Sequence, residues 1–109
     1  METRKRVLGE EYLDTLTSIN NLALTYKNQG QPKKAEELEV QVMETRKRVL
    51  GEDHPDTLIS MNNLAFTLKS QSHNRKAMSL MKKCCQLRQQ ILGLQHPHTK
   101  SSLEALNKW

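Results

Sequence analysis

The decapeptide METRKRVLGE stands at residues 1–10 and again, unchanged, at residues 43–52. Laid over one another at this 42-residue offset, residues 1–42 and 43–84 share 24 identities. The offset runs on into a weaker third copy. There Ile91-Leu92-Gly93 falls on Val49-Leu50-Gly51, His96-Pro97 on His54-Pro55, and Leu103 and Leu106 on Met61 and Leu64. A fixed period of about 20 to 50 residues marks an array of stacked units, each too small to bury its apolar face alone.

Every period holds two helical patterns. Leu16, Ile19, Leu22, Ala23 and Tyr26 recur at spacings of three and four, and Leu58, Met61, Leu64, Ala65 and Leu68 repeat them one period later. These are termed A helices. Gly30-Gln31-Pro32 interrupts the first copy and Ser72-His73-Asn74 the second, both with turn chemistry. B helices follow, with Ala35, Leu38, Val42 and Val49 on one stripe, matched by Ala77, Leu80, Cys84 and Ile91. Gly9, Gly51 and Gly93 stand where a helix end favours glycine, and Asp53-His54-Pro55-Asp56 carries the acidic residues and early proline of a helix start.

The expected fold is therefore all-α, a solenoid of antiparallel helix pairs with essentially no strand. The sequence divides into residues 1–9 as the end of a B helix, 14–51 as one repeat, 56–93 as a second, and 97–109 as a C-terminal capping A helix. That amounts to about two and a half repeats, read as a fragment or the end of a longer array. Lys100 in place of Leu58, and Glu104 in place of Asn62, are the polar replacements expected of a cap.

The composition suits an array better than a compact core: apolar residues are 36% of the chain and aromatics 4%. No apolar run is long enough for a bilayer or a signal peptide, so a soluble, cytoplasmic chain is expected. Cys84 and Cys85 are neighbours in a helical pattern. Adjacent positions there are poor geometry for a disulfide, which agrees with a reducing compartment and a packing role.

Ile19-x2-Leu22-Ala23-x2-Tyr26 followed by Ala35, and Met61-x2-Leu64-Ala65-x2-Leu68 followed by Ala77 and Met81, resemble the tetratricopeptide repeat pattern. Glu39 departs from it at an aromatic position and Lys47 where a proline often stands. With its 42-residue period and its LGEDHPDTL and NNLA phrases, the chain looks like the longer-repeat subfamily of kinesin light chains. Its near-identical adjacent copies and the ending HPHTKSSLEALNKW look more like the C-terminal arrays of fungal STAND-type signalling NTPases. The resemblance implies a right-handed superhelix whose A helices line a concave face that binds an extended peptide. Carried over position by position, the face comprises Thr17, Asn20, Leu24 and Lys27, then Ile59, Asn62, Phe66 and Lys69, then Ser101, Glu104 and Lys108. An Asn amide can both donate to and accept from a peptide backbone, and Lys can pair with carboxylates. The implied partner is a protein or peptide, with acidic character favoured. Self-association, by end-to-end stacking or helix exchange within a larger signalling or scaffold protein, is the alternative.

The net charge of +5 raises nucleic acid as a partner, but its arrangement argues against it. Arg46, Lys47 and Arg48 are consecutive on a helix and fan around it, and only Arg4, Arg46 and Arg88 stand in register between copies. The triplet reads as a mainly solvated face. His54 and His96 occupy equivalent helix starts, and His96-x-His98 has no third ligand close in sequence. With no phosphate loop, nucleophile elbow or paired-histidine helix in the chain, neither an enzyme nor a cofactor is expected.

Overall fold

The computed structural model describes the backbone of residues 2–109 and the side chains of residues 14–109. Five helices follow one another: α1 (Glu2–Asn28), α2 (Pro32–Leu50), α3 (Pro55–Ser70), α4 (Asn74–Leu92) and α5 (Pro97–Lys108). No strand occurs among the described residues. Each helix packs on the next, and the whole measures 48 × 35 × 19 Å. Its shortest dimension is about two helix diameters, as expected for a layer of A helices (α1, α3, α5) on a layer of B helices (α2, α4).

Local chemistry sets the boundaries. Pro32, Pro55 and Pro97 open α2, α3 and α5, where a missing N–H is harmless. Gly51 and Gly93 end α2 and α4 at φ +100° and +87°. A Cβ at either site would meet nothing within 4 Å, so the backbone conformation, not crowding, requires glycine. His54 and His96 cap α3 and α5: each Nδ1 accepts the backbone N–H two residues on, from Asp56 and His98, at 3.1 Å. The turn before α4 is less favourable. Ser72 takes φ +65° where Gly30 stands at +76° in the first copy, and α4 has no proline or side-chain cap at its start.

One boundary differs from the sequence reading. Helix α1 runs unbroken past Gly9, where a stop and the end of a B helix are expected. The first copy lacks the residues that make the later stops. Tyr12 and Leu13 occupy the positions of His54 and Pro55, so nothing there removes a backbone donor or caps a new helix. A glycine inside a helix costs only about 1 kcal/mol, too little to force a break alone.

The small residues do what their spacing implies. Ala23, Ala35, Ala65 and Ala77 are at most 1% exposed, which lets paired helices approach closely. Leu58, Met61 and Cys84 form one cluster, Leu64, Leu68 and Ala77 a second, and Ala65, Met81 and Ala105 a third. Met43 of α2 packs against the first two. The stripe on the B helices stops a turn early, since Val49 and Ile91 are exposed.

Polar contacts join one repeat to the next, and here the expectation of a solvated basic face is corrected. Arg46 and Arg88 are buried. Arg46 Nη1 donates to Ser60 Oγ at 2.8 Å and to the Asp56 carbonyl at 3.3 Å. Arg88 Nη1 repeats this with Ser102 Oγ at 2.8 Å and the His98 carbonyl at 3.0 Å. Consecutive helical residues point about 100° apart, so the stretch 46–48 turns one guanidinium into the seam while Lys47 and Arg48 stay exposed. Two turns back along the same face, the seams differ. Glu39 is buried against the Thr67 hydroxyl, whereas its counterpart Met81 lies among Ala65, Ala105 and Trp109.

Candidate functional site: a groove on the A helices

Helices α3 and α5 border an open groove of about 220 Å³, lined by Phe66, Ser101, Glu104, Ala105, Lys108 and Trp109. Ser101, Glu104, Ala105 and Lys108 reach it together because residues three and four apart share one helical face. The floor is aromatic. Phe66, 41% exposed, meets Trp109 edge to face at 85° with ring centroids 5.2 Å apart, a favoured arrangement for such pairs. Lys69 Nζ stands 5.9 Å from the Trp109 centroid and donates to Asn74 Oδ1 at 3.2 Å. Glu104 and Lys108 approach to 3.9 Å, both well exposed, so their pairing adds little stability and leaves both available to a ligand.

Asn62, one turn before Phe66 on α3, is tied to the seam. Arg88 Nη1 donates to its Oδ1 at 3.4 Å. Because a guanidinium only donates, the amide oxygen must face Arg88, which directs the NH₂ group away from it. The Asn62 NH₂ group is thus not engaged by Arg88.

The structure thus brings together Phe66, Ser101, Glu104 and Lys108 of the residues expected on the binding face, with Lys69 beside Trp109 and Asn62 one turn before Phe66 on α3. It does not gather the rest. Thr17, Asn20, Leu24 and Lys27 lie on α1, and Ile59 on α3, outside the groove lining. Leu24 is 55% exposed. The positive charge of Lys27 acts on Glu39, though burial outweighs it and pushes the Glu39 carboxyl above its ordinary range. Sequence reasoning missed Trp109, at the end of the third copy and in place of Thr67. It also missed Arg46 and Arg88. Their signal was available in the paired recurrence of Arg46 with Ser60 and Arg88 with Ser102 at the 42-residue offset.

The remaining candidates are absorbed by structure. The His54 and His96 rings serve as helix caps. Among the described residues no three His, Cys, Asp or Glu side chains are grouped to hold a metal. Cys84 and Cys85 are buried free thiols whose pKa values burial raises, which disfavours the reactive thiolate. On the outer face, Lys83 bonds Glu52 at 2.6 Å and thereby lowers the Glu52 pKa. No helix among the described residues is long and apolar enough to cross a membrane.

Comparison with known proteins settles what kind of repeat this is. The profile of the tetratricopeptide repeat matches twice in succession, at residues 15–56 and 57–98. The chain belongs to the tetratricopeptide repeat family. Each matched unit starts within an A helix and ends at the start of the next, the frame in which Arg46 and Arg88 close a repeat onto its neighbour. No curated protein sequence matches the chain. Among solved structures it is similar to a Podosopora anserina protein provisionally named a kinesin light chain, with nearly identical TPR-like repeats. Two crystal structures of that protein, one of them a single-substitution variant, share 28% identity with it at TM-scores of 0.78 and 0.79. Each alignment covers 86% of this chain and 44% of theirs, so this tetratricopeptide array spans less than half the length of those relatives. The all-α superhelix and the kinesin-light-chain-like repeat are as expected from the sequence. The family is one of non-catalytic protein-interaction scaffolds.

Proposed function

We propose that this tetratricopeptide array is a protein-interaction module that holds an extended peptide or protein segment against the concave face of its A helices. The observation that supports the reading best is the groove between α3 and α5, where a half-exposed Phe66–Trp109 corner lies beside Glu104 and Lys108. An apolar side chain of the ligand would sit on the aromatic corner, its backbone carbonyls would accept from Asn62, and Lys69 and Lys108 would favour acidic flanks. Thr17, Asn20, Leu24 and Lys27 of α1, with Ile59, would extend the same path toward the first repeat. The module would act in the cytoplasm and without a cofactor. Trp109 is the only tryptophan, so its emission reports directly on the groove. Peptides selected on the intact chain from a random dodecamer library should perturb Trp109 fluorescence, and Asn62→Ala and Phe66→Ala should each weaken them about tenfold or more. Selected peptides that bind with Trp109 undisturbed and survive both substitutions would remove the groove from consideration.

A second reading, self-association by end-to-end stacking or a domain-swapped oligomer inside a larger signalling or scaffold protein, is favoured by exposed apolar surface on α1. Leu22 is 46% exposed where its counterpart Leu64 is 4% exposed. Light scattering from micromolar to millimolar concentration tests it, and a constant monomer mass would exclude it.

A further inference from the structure

The 42-residue duplication gives every position of the second copy a counterpart in the first, and on the B helices the two copies part in one direction. Helices α2 and α4 carry five Lys and Arg residues each, but α2 also holds four carboxylates, Glu36, Glu37, Glu39 and Glu44, and α4 holds none. Met78, Ser79, Met81 and Gln86 stand in their places, and from Thr57 to Leu103 the chain contains no Asp or Glu at all. The cations are also redistributed. Lys33 and Lys34 recur as Arg75 and Lys76, while Val40 and Gln41 give way to Lys82 and Lys83.

Arg75, Lys76, Lys82 and Lys83 are all exposed. Residues seven apart lie two turns on along the same helical face, so the two cation pairs stand about 10 Å apart on one ridge. Shallow hollows flank the ridge, one reaching the half-buried Leu80 and the other the half-buried Met78. Lys83 bonds Glu52 at 2.6 Å, an exposed pair that a competing carboxylate can replace at little cost. Among the described residues, Arg75, Lys76 and Lys82 pair with no carboxylate.

We propose that this ridge of α4 is a docking surface for an acidic helix of a partner protein, one that presents pairs of Asp or Glu seven residues apart. Such a helix has the same rise per residue as α4, so both carboxylate pairs meet both cation pairs at once. Apolar side chains beside its carboxylates rest on Met78 or Leu80. The surroundings select against broader polyanions. Glu37 and Glu44, exposed on α2, hold in the layer of B helices the positions that Ser79 and Gln86 hold on α4. A nucleic-acid duplex or an anionic bilayer lying across both B helices would meet these carboxylates as well as the cations. Helix α4 also carries no aromatic ring on which the bases of a single strand could stack. The ridge lies on a B helix, apart from the groove of the A helices, and stands whether or not that groove binds a peptide.

The test uses the intact 109-residue chain and a labelled alanine-based helical peptide with two Glu-Glu pairs seven residues apart, titrated by fluorescence anisotropy at low salt. The peptide should bind, and about tenfold more weakly once salt reaches about 0.15 M. A peptide of the same composition with its four Glu spread around the helix should bind about fivefold more weakly than the first. Giving the ridge the residues of α2, by Ser79→Glu, Lys82→Val, Lys83→Gln and Gln86→Glu together, should abolish binding. All four positions are exposed and their counterparts in α2 hold those residues, so circular dichroism should show the fold unchanged. The milder pair Arg75→Gln with Lys82→Gln should weaken binding about tenfold, and Phe66→Ala in the groove should leave it as it is. No binding up to millimolar peptide, equal binding of the two peptides, binding that survives the α2 residues, or tighter binding of a short DNA duplex or of phosphatidylserine vesicles would each overturn the proposal.

Discussion

Glu39→Met should stabilise the fold at neutral pH. Glu39 is 4% exposed and its carboxyl finds one hydrogen-bond partner in the seam, Thr67. The next seam shows what the position can hold instead, since Met81 is 0% exposed there. Burying a methionine side chain is worth about 1.5–3 kcal/mol. Loss of the Thr67 bond subtracts about 1 kcal/mol, while the Thr67 hydroxyl keeps the Asn63 carbonyl at 3.1 Å. The net gain is about 0.5–2 kcal/mol, or roughly 2–12 °C in Tm for a chain of this size. The gain must also depend on pH. Burial raises the Glu39 pKa, so above the unfolded-state value the native state retains a proton that the unfolded chain has released. The contribution of Glu39 to stability therefore falls as pH rises through the window between the unfolded and folded pKa values, and is flat above it. The advantage of Glu39→Met should be small on the acid side of that window and full on its alkaline side. Urea denaturation of both proteins at several pH values measures this, with Glu39→Gln as a control that keeps an acceptor for Thr67 but does not titrate. An advantage independent of pH, or a less stable Glu39→Met at neutral pH, would refute the reasoning.

Other substitutions test other joints. Arg88→Ala should cost about 3 kcal/mol by denaturant melting, because it empties a buried slot and strands acceptors in the seam; a loss under 1 kcal/mol would reduce the arginine to a spectator. Gly51→Ala should cost about 1–3 kcal/mol through backbone strain alone, there being nothing within 4 Å of the added Cβ. Ser72→Gly should gain about 1 kcal/mol, since Ser72 holds φ +65°. His54→Ala should cost about 1 kcal/mol through loss of the α3 cap, whereas His54→Asn, which can still accept the Asp56 N–H, should cost less.

The architecture was legible in the sequence because period, apolar spacing and punctuation all pointed the same way. Leu16 and Leu58, the four paired alanines, and the prolines at 32, 55 and 97 do in the structure what their positions imply. The stop at Gly9 was over-read, because a glycine breaks a helix only with help and Tyr12-Leu13 gives none. The seams were under-read for a different reason. Whether an arginine lies in a seam or in water depends on which third of a helix meets a neighbour, and a triplet such as Arg46-Lys47-Arg48 covers all sides. Trp109 was invisible as a groove residue because its counterpart Thr67 lies in the seam, and only the size of an indole carries it from there to Phe66.

Within the chain, several seam residues are constant between copies while part of the A-helix face varies. At the seams, Thr57 and Thr99, Ser60 and Ser102, and Arg46 and Arg88 are repeated unchanged and all are buried. On the A-helix face, the same offset gives Thr17, Ile59 and Ser101; Asn20, Asn62 and Glu104; and Leu24, Phe66 and Lys108. A seam has one job, to hold two repeats at fixed separation, and at these hydrogen-bonded positions a departure from a working set of partners costs stability. A face that only met water would tolerate these changes too, but it would gain nothing from an aromatic corner that leaves Phe66 41% exposed. The combination of constant Thr, Ser and Arg partners in the seam with a face that passes from aliphatic through aromatic to charged is what a scaffold needs to read successive residues of a ligand differently. Exchanging the face while keeping the seam, by Phe66→Leu to restore the first-copy residue with Trp109 left packed on its core clusters, should therefore leave the helical fold intact and remove peptides selected on the groove. If those peptides still bind, the variation along the face is drift and the recognition surface lies elsewhere.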